Sequence, residues 1–261
     1  MAPLPAPMIA RATAVGLDVG LALRQGWRAF QRAPFRFVAF SLLVTALQAP
    51  GKLLLAPLLE GQESSPGLSA WLLAASGALW IVLVHLWSTC GFVRASWSAL
   101  EGRRPGPDCF LRPAPRALGR VAGAELTLAG LVFGAVLLLA FLEAAVSLTS
   151  HALALLVALL PVPGLAYLVV SQRFLVPIAL LEGPGSLATL ERGRRVVDPR
   201  WGSVLGLTLA QGGLLLLGVM ALLVGVFAAL PVIACSSTAA YRQLFGERDR
   251  TGLLARPSGP D

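Results

Sequence analysis

The 261 residues are 56% apolar and only 13% charged, with a mean hydropathy of +0.76, which excludes a soluble domain of ordinary make-up. About six membrane spans of ~20 residues each would take up roughly 120 positions and leave no room for a separate soluble catalytic domain. The formal charge of +8, from twenty Arg and one Lys against 13 acids, would suggest nucleic acid in a soluble chain; here the arginines sit between apolar runs, and nucleic acid is not an expected partner.

In chain order, residues 1–17 read as an N-terminal tail. Its Met-Ala-Pro-Leu-Pro-Ala-Pro start lacks the basic opening and apolar core of a cleavable signal peptide. In 18–36, Arg24, Arg28, Arg32 and Arg36 recur every four residues and form one stripe, with Val19, Leu23, Trp27 and Phe30 on a neighbouring face. That pattern predicts a helix lying in the headgroup layer. Span 1 reads Phe37–Leu59, and its Pro50-Gly51-Lys52 is expected to end or kink the helix. Span 2 covers about 68–93, flanked by Trp71, Trp87 and Trp97 at headgroup level. Span 3 covers about 121–142. Span 4 starts near Ala152, meets Pro161 and Pro163, and runs past Arg173 to Leu181, too far for one straight crossing.

A second basic amphipathic segment follows at 186–198. Ser186 is expected to cap it, Leu187, Leu190 and Val197 point one way, and Arg192, Arg194 and Arg195 meet lipid phosphates. The apolar stretch Trp201–Tyr241 is 41 residues; one helix of that length would reach ~60 Å, about twice the hydrocarbon thickness. Two spans near 204–222 and 226–243, with the turn at Gly225, fit better. Residues 246–261 read as a disordered tail, which leaves 18–245 as the membrane domain. Sliding 21–42 onto 188–209 superposes Leu23 on Leu190, Gly26 on Gly193, Arg28 on Arg195 and Leu42 on Leu209. A unit of basic amphipathic segment plus transmembrane hairpin, used three times, would account for that match and for the basic stretch 94–120.

All twenty arginines fall in four blocks, 1–36, 94–120, 173–203 and 242–261, while the alternate connections 60–67 and 143–151 hold no Lys or Arg. By the positive-inside rule both termini are cytoplasmic in a multi-pass inner-membrane protein. Cys90, Cys109 and Cys235 are odd in number, widely spaced and on the reduced side or within spans, so no disulfide is expected.

Catalytic constellations are scarce. His85 and His151 are the only histidines, and there is no metal-ligand spacing, His-Glu-x-x-His or Gly-x-Ser-x-Gly. No metal, no cofactor and no enzyme activity are expected. Gly183-Pro-Gly-Ser-Leu-Ala188 matches a dinucleotide fingerprint formally, but it follows a transmembrane run and not a βαβ strand; it reads as a turn. Ionisable groups inside spans are costly unless paired or hydrated. His85, Glu125, Arg173 and Gln211 form a candidate intramembrane polar cluster, which would line a cytoplasm-facing cavity in a transporter. The alternative for the same residues is a structural Arg–Glu tie with Arg173 snorkelling and His85 bonded to a carbonyl.

Arg173-Phe-Leu-Val-Pro177-Ile-Ala-Leu-Leu-Glu182-Gly-Pro-Gly185, then a basic helix and Trp201-Gly-x-Val-Leu-Gly-Leu, resembles the membrane domain of glycerophosphodiester phosphodiesterases and its stand-alone relatives. Leu23-Arg-Gln-Gly-Trp27-Arg-Ala-Phe30 and Pro231…Ala240-Tyr241-Arg-Gln-Leu resemble that family's ends, so the likeness spans nearly the whole chain. It implies a six-span helical domain with cytoplasmic amphipathic elements, and not the hydrolase, whose barrel is absent from these residues.

The sequence therefore predicts an all-α polytopic transmembrane bundle of about six spans with cytoplasmic amphipathic interfacial helices. Its expected role is noncatalytic, organising or contacting membrane lipids or partner membrane proteins; the alternative is a small-molecule or lipid transporter. The expected headgroup contacts are Arg24, Arg28, Arg32, Arg36, Arg192, Arg194 and Arg195.

Overall fold

The computed structural model describes residues 16–59, 67–112, 114–148, 150–221, 225–247 and 249–254. The connection 60–66, most of the expected N-terminal tail and the second half of the expected C-terminal tail lie outside them. Among the described residues all regular structure is helical: α1 (Val19–Gln31), α2 (Pro34–Leu59), α3 (Leu68–Leu100), α4 (Pro107–Leu111), α5 (Pro115–Ser147), α6 (His151–Leu159), α7 (Pro161–Ser171), α8 (Leu175–Leu181), α9 (Ser186–Val197), a 3-10 turn (Asp198–Arg200), α10 (Trp201–Met220) and α11 (Val226–Phe245). The chain is an all-α polytopic membrane protein. Five stretches, Pro34–Leu59, Leu68–Leu100, Pro115–Ser147, Val157–Leu181 and Ser186–Met220, are long and apolar enough to cross a bilayer. The most apolar stretch of α5 buries none of its residues, and Leu126, Phe133, Leu138 and Phe141 are all exposed. Such a surface is stable when hydrocarbon is the solvent, because the helix satisfies its own backbone groups. The sixth stretch expected, 226–243, does form a helix, α11. Its Ser236-Ser237-Thr238 and Arg242-Gln243 dilute its hydropathy, and it is not among the five.

Local departures from expectation have physical reasons. α2 runs without interruption through Pro50 and Pro57; in a bilayer a broken helix would strand carbonyls in hydrocarbon, so the chain keeps the ladder around the missing donor. The 41-residue apolar stretch is two helices, α10 and α11, and a Cβ on Gly225 would lie 2.8 Å from the Gly218 carbonyl oxygen. Only glycines let the two helix ends approach so closely. The first amphipathic helix stops at Gln31, and Arg36 falls in the opening turn of α2. At α9 the cap position belongs to Gly185, and no side chain makes a cap hydrogen bond. The Ser186 hydroxyl instead lies where a Cβ on Gly123 of α5 would meet it, and Thr189 Oγ1 donates to the Gly185 carbonyl at 3.1 Å.

Contacts divide the chain into two compact units. The first comprises residues 20–118, 210–239 and the described residues 253–254. Its core joins Ala29, Phe30, Phe37, Phe40, Ala95, Ala99, Phe110, Val232 and Cys235. Phe40 is the hub, with ring centroids 4.9 Å from Phe92, 5.0 Å from Phe110 and 5.3 Å from Trp87. Aromatic pairs at these spacings add about 0.5–1.5 kcal/mol each beyond burial. Further along, α2 and α3 touch backbone to backbone: a Cβ on Gly51 would sit 2.8 Å from the Gly77 oxygen, and one on Gly77 2.6 Å from the Gly51 oxygen. Close approach through small residues is how helices associate where hydrophobic contrast is absent.

The second unit comprises the described residues of 16–19, 119–209 and 240–252. In α8, Leu175, Ile178, Ala179, Leu180 and Leu181 are all buried, and Phe174, Val121, Val204, Leu207 and Tyr241 are further buried residues of this unit. A buried helix end must find partners for its last carbonyls. Arg120 donates to Ala179 O at 3.1 Å and Leu180 O at 3.3 Å. Thr251 Oγ1 donates to Leu180 O at 2.7 Å, and Arg250 N to Leu181 O at 2.8 Å. Gly183, at φ +66°, turns the chain away in the left-handed region that favours glycine.

Candidate functional site

The residues singled out from the sequence fall into three groups. In the polar set, His85 and Gln211 belong to the first unit and Glu125 and Arg173 to the second. His85 stands on the exposed side of α3. Gln211 is 2% exposed and ties α10 to α11, its Nε2 donating to Ser236 Oγ at 2.8 Å and Ser237 Oγ at 3.1 Å. Glu125 is half-buried on α5 beside an apolar groove of about 420 Å³ lined by Leu128, Val132 and Phe133. Arg173 sits in the turn between α7 and α8, half-buried. Among the described residues, no group of three or more His, Cys, Asp or Glu could hold a metal ion.

The second group is the arginine stripe of α1 and the start of α2. α1 buries Ala22, Gly26, Ala29 and Phe30, the i, i+4, i+7, i+8 stripe of a helix lying on a packed surface. Two of the four arginines are engaged inward. Arg32 Nη1 donates to the Ala99 carbonyl in the last turn of α3, and Arg36 Nη1 to the Pro105 carbonyl at 2.7 Å. Arg24 and Arg28 are exposed and have no hydrogen-bond or ion-pair partner among the described residues. Next to them Trp27, 48% exposed, and Leu23 form the rim of an apolar groove of about 600 Å³ whose floor is Ala210, Gly213, Leu214, Leu217 and Val232. Arg24 and Arg28 each follow a residue that lines this groove, Leu23 and Trp27, and two exposed cations so placed can take a head that is anionic while the groove takes a tail that is not.

The third group, on α9, is chemically different because each arginine has an acid. Arg192 Nε lies 3.1 Å from Glu182 Oε2, with its guanidinium 5.6 Å from the Phe245 ring centroid. Arg195 reaches Glu191 at 2.5 Å, and Arg194 stands 3.8 Å from Asp198, which also accepts from Tyr167 Oη at 2.8 Å. The cleft of about 380 Å³ there, lined by Glu182, Glu191, Arg192, Arg195 and Arg250 among others, carries mixed charge and no strong pull on an anion. Helix α9 buries Thr189, Leu190, Gly193 and Val197, while Leu187, expected on the same face, is 67% exposed.

Sequence reasoning did not single out the buried Arg94 or the partner choices of Arg32 and Arg192. Those depend on carbonyls and acids brought in from 67 and 10 residues away. Comparison with family models, with curated proteins and with solved structures found no match for this chain.

Proposed function

We propose that the chain is a noncatalytic integral membrane protein of the inner membrane, with both termini cytoplasmic, that holds anionic phospholipid against α1. The carrying observation is the pairing of Arg24 and Arg28, exposed and unengaged, with the apolar groove rimmed by Leu23 and Trp27. A phosphate-bearing head resting on two guanidinium groups, worth about 1 kcal/mol per basic residue near an anionic surface, leaves its acyl chain beside Trp27. The clustering of arginines on alternate connections supports the orientation. The likeness to the membrane domain of glycerophosphodiester phosphodiesterases supports a role in lipid contact.

The test is tryptophan quenching by brominated lipids in reconstituted vesicles, with Trp27→Phe subtracted to isolate Trp27. Brominated phosphatidylglycerol is expected to quench Trp27 more than brominated phosphatidylcholine, and R24Q/R28Q to abolish the difference. Equal quenching by the two lipids in the unaltered chain would overturn the reading.

A further inference from the structure

One cavity of the first unit has no part in the α1 reading and shares no residue with it. It occupies about 740 Å³ where α3 ends and α4 begins, with Arg94, Arg103, Arg104 and Arg112 on its wall. Asp108 is the acid on that wall, and Glu101 is committed to Arg103 and to the indole N–H of Trp97, which donates to it at 3.0 Å. Positive charge is therefore in surplus. Arg104 and Arg112 are exposed and have no ion pair among the described residues.

Arg94 makes the cavity more than a basic loop. Its side chain is carried on the last turns of α3, and the residue is only 7% exposed. One arm of the guanidinium donates to the Arg112 carbonyl, which fixes the fork in place. Its Nε–H is buried and meets no acceptor among the described residues. A buried guanidinium with an idle donor is costly unless an anion shares the site, and an arginine fork held rigid by one bond is preorganised for oxoanions. Guanidinium groups from three separate positions, Arg94, Arg104 and Arg112, suit a tetrahedral anion with several acceptor oxygens better than a two-oxygen carboxylate. The volume is far larger than a bare phosphate needs and falls within the range of organic-ligand sites. Trp97, Leu111, Leu253 and Leu254 supply the apolar part of the wall.

We propose that this cavity binds a phosphate ester, with the phosphate on Arg94, Arg104 and Arg112 and the organic part against the apolar wall. The ester could be a phospholipid head or a soluble phosphate ester, and one experiment separates the two. The full chain in detergent is titrated with phosphatidylglycerol, and separately with glycerol 3-phosphate, and read by native mass spectrometry. Either ligand is expected to bind the unaltered chain, and R104Q/R112Q to weaken that binding by at least about tenfold, the loss of one charge-assisted contact. R94K, which keeps the charge but loses the fork, should weaken it similarly. The titrations are repeated in the R24Q/R28Q background, where lipid held at α1 is lost and the binding step of this cavity is read by itself, so a failure of the α1 reading and a failure here are told apart. Lipid binding that glycerol 3-phosphate cannot displace assigns the site to a membrane lipid; tight glycerol 3-phosphate binding that resists added lipid assigns it to a soluble ester. The proposal is overturned if neither ligand binds, or if R104Q/R112Q binds both as the unaltered chain does while keeping its thermal unfolding midpoint.

Discussion

Two corners of the molecule are built from matching sequence and resolve their arginines in opposite ways. At one, α1 passes through Arg32 and Ala33 into α2; at the other, α9 passes through Asp198–Arg200 into α10. Gly26 and Gly193, equivalent when 21–42 is laid on 188–209, are both buried, Gly26 against the middle of α11 at Ser236 and Gly193 against the end of α7 at Ser171. A Cβ on Gly26 would stand 2.6 Å from the Ser236 backbone, whereas on Gly193 the nearest atom, the Ser171 oxygen, would be 3.3 Å away. The α1 corner spends Arg32 and Arg36 on backbone carbonyls and leaves Arg24 and Arg28 exposed, while the α9 corner matches Arg192, Arg194 and Arg195 to acids. Periodic arginines thus carry no fixed meaning. What each one does is set by the acceptors that the fold brings within reach.

Four substitutions break or sharpen this contrast. Gly26→Ala has the largest expected effect, about 2–3 kcal/mol of destabilisation, because the new methyl meets rigid backbone; thermal unfolding in detergent reads it. Gly193→Ala has 0.7 Å more room and should cost under about 1 kcal/mol in the same assay. A larger cost at Gly193 than at Gly26 would reverse the ranking of the two contacts. Arg32→Ala should cost about 1 kcal/mol, by removing the second donor on the Ala99 carbonyl, which keeps its bond from Gly102 N at 3.1 Å, with faster amide exchange at Gly102 and Arg103, the neighbouring links in that turn. Arg195→Ala removes an exposed ion pair and is expected to change stability by less than about 0.5 kcal/mol.

The helical, membrane-spanning architecture was legible because it follows from apolar run lengths, which need no knowledge of partners. The split of 201–241 was readable for the same reason: the stretch is too long for one crossing, and Gly225 stands where two helix ends must close. The run through Pro50 was not. A proline looks like a break wherever water can take the freed carbonyl, and only the bilayer makes continuity the cheaper choice. The buried stripe of α1 was only partly legible: Phe30 was on the apolar face expected, but the small Ala22, Gly26 and Ala29, which face inward with it so that backbones can approach, carry no hydrophobic signal of their own. Arg94 sat unremarked within a basic block, since no local pattern distinguishes an arginine folded into a cavity from one that marks a side of the membrane. Gln211 looked like part of a transport path, and its bonds to Ser236 and Ser237 depend on the pairing of two helices that the sequence does not register.

The lock on α8 bears on the order in which the protein can be made. Leu180 and Leu181 lie in a helix that the ribosome releases about seventy residues before Thr251 and Arg250, which take up their carbonyls. Until that late stretch emerges, Arg120 is the side chain among the described residues that serves the Ala179 and Leu180 carbonyls, so this set of bonds closes only about seventy residues after α8 itself has been made.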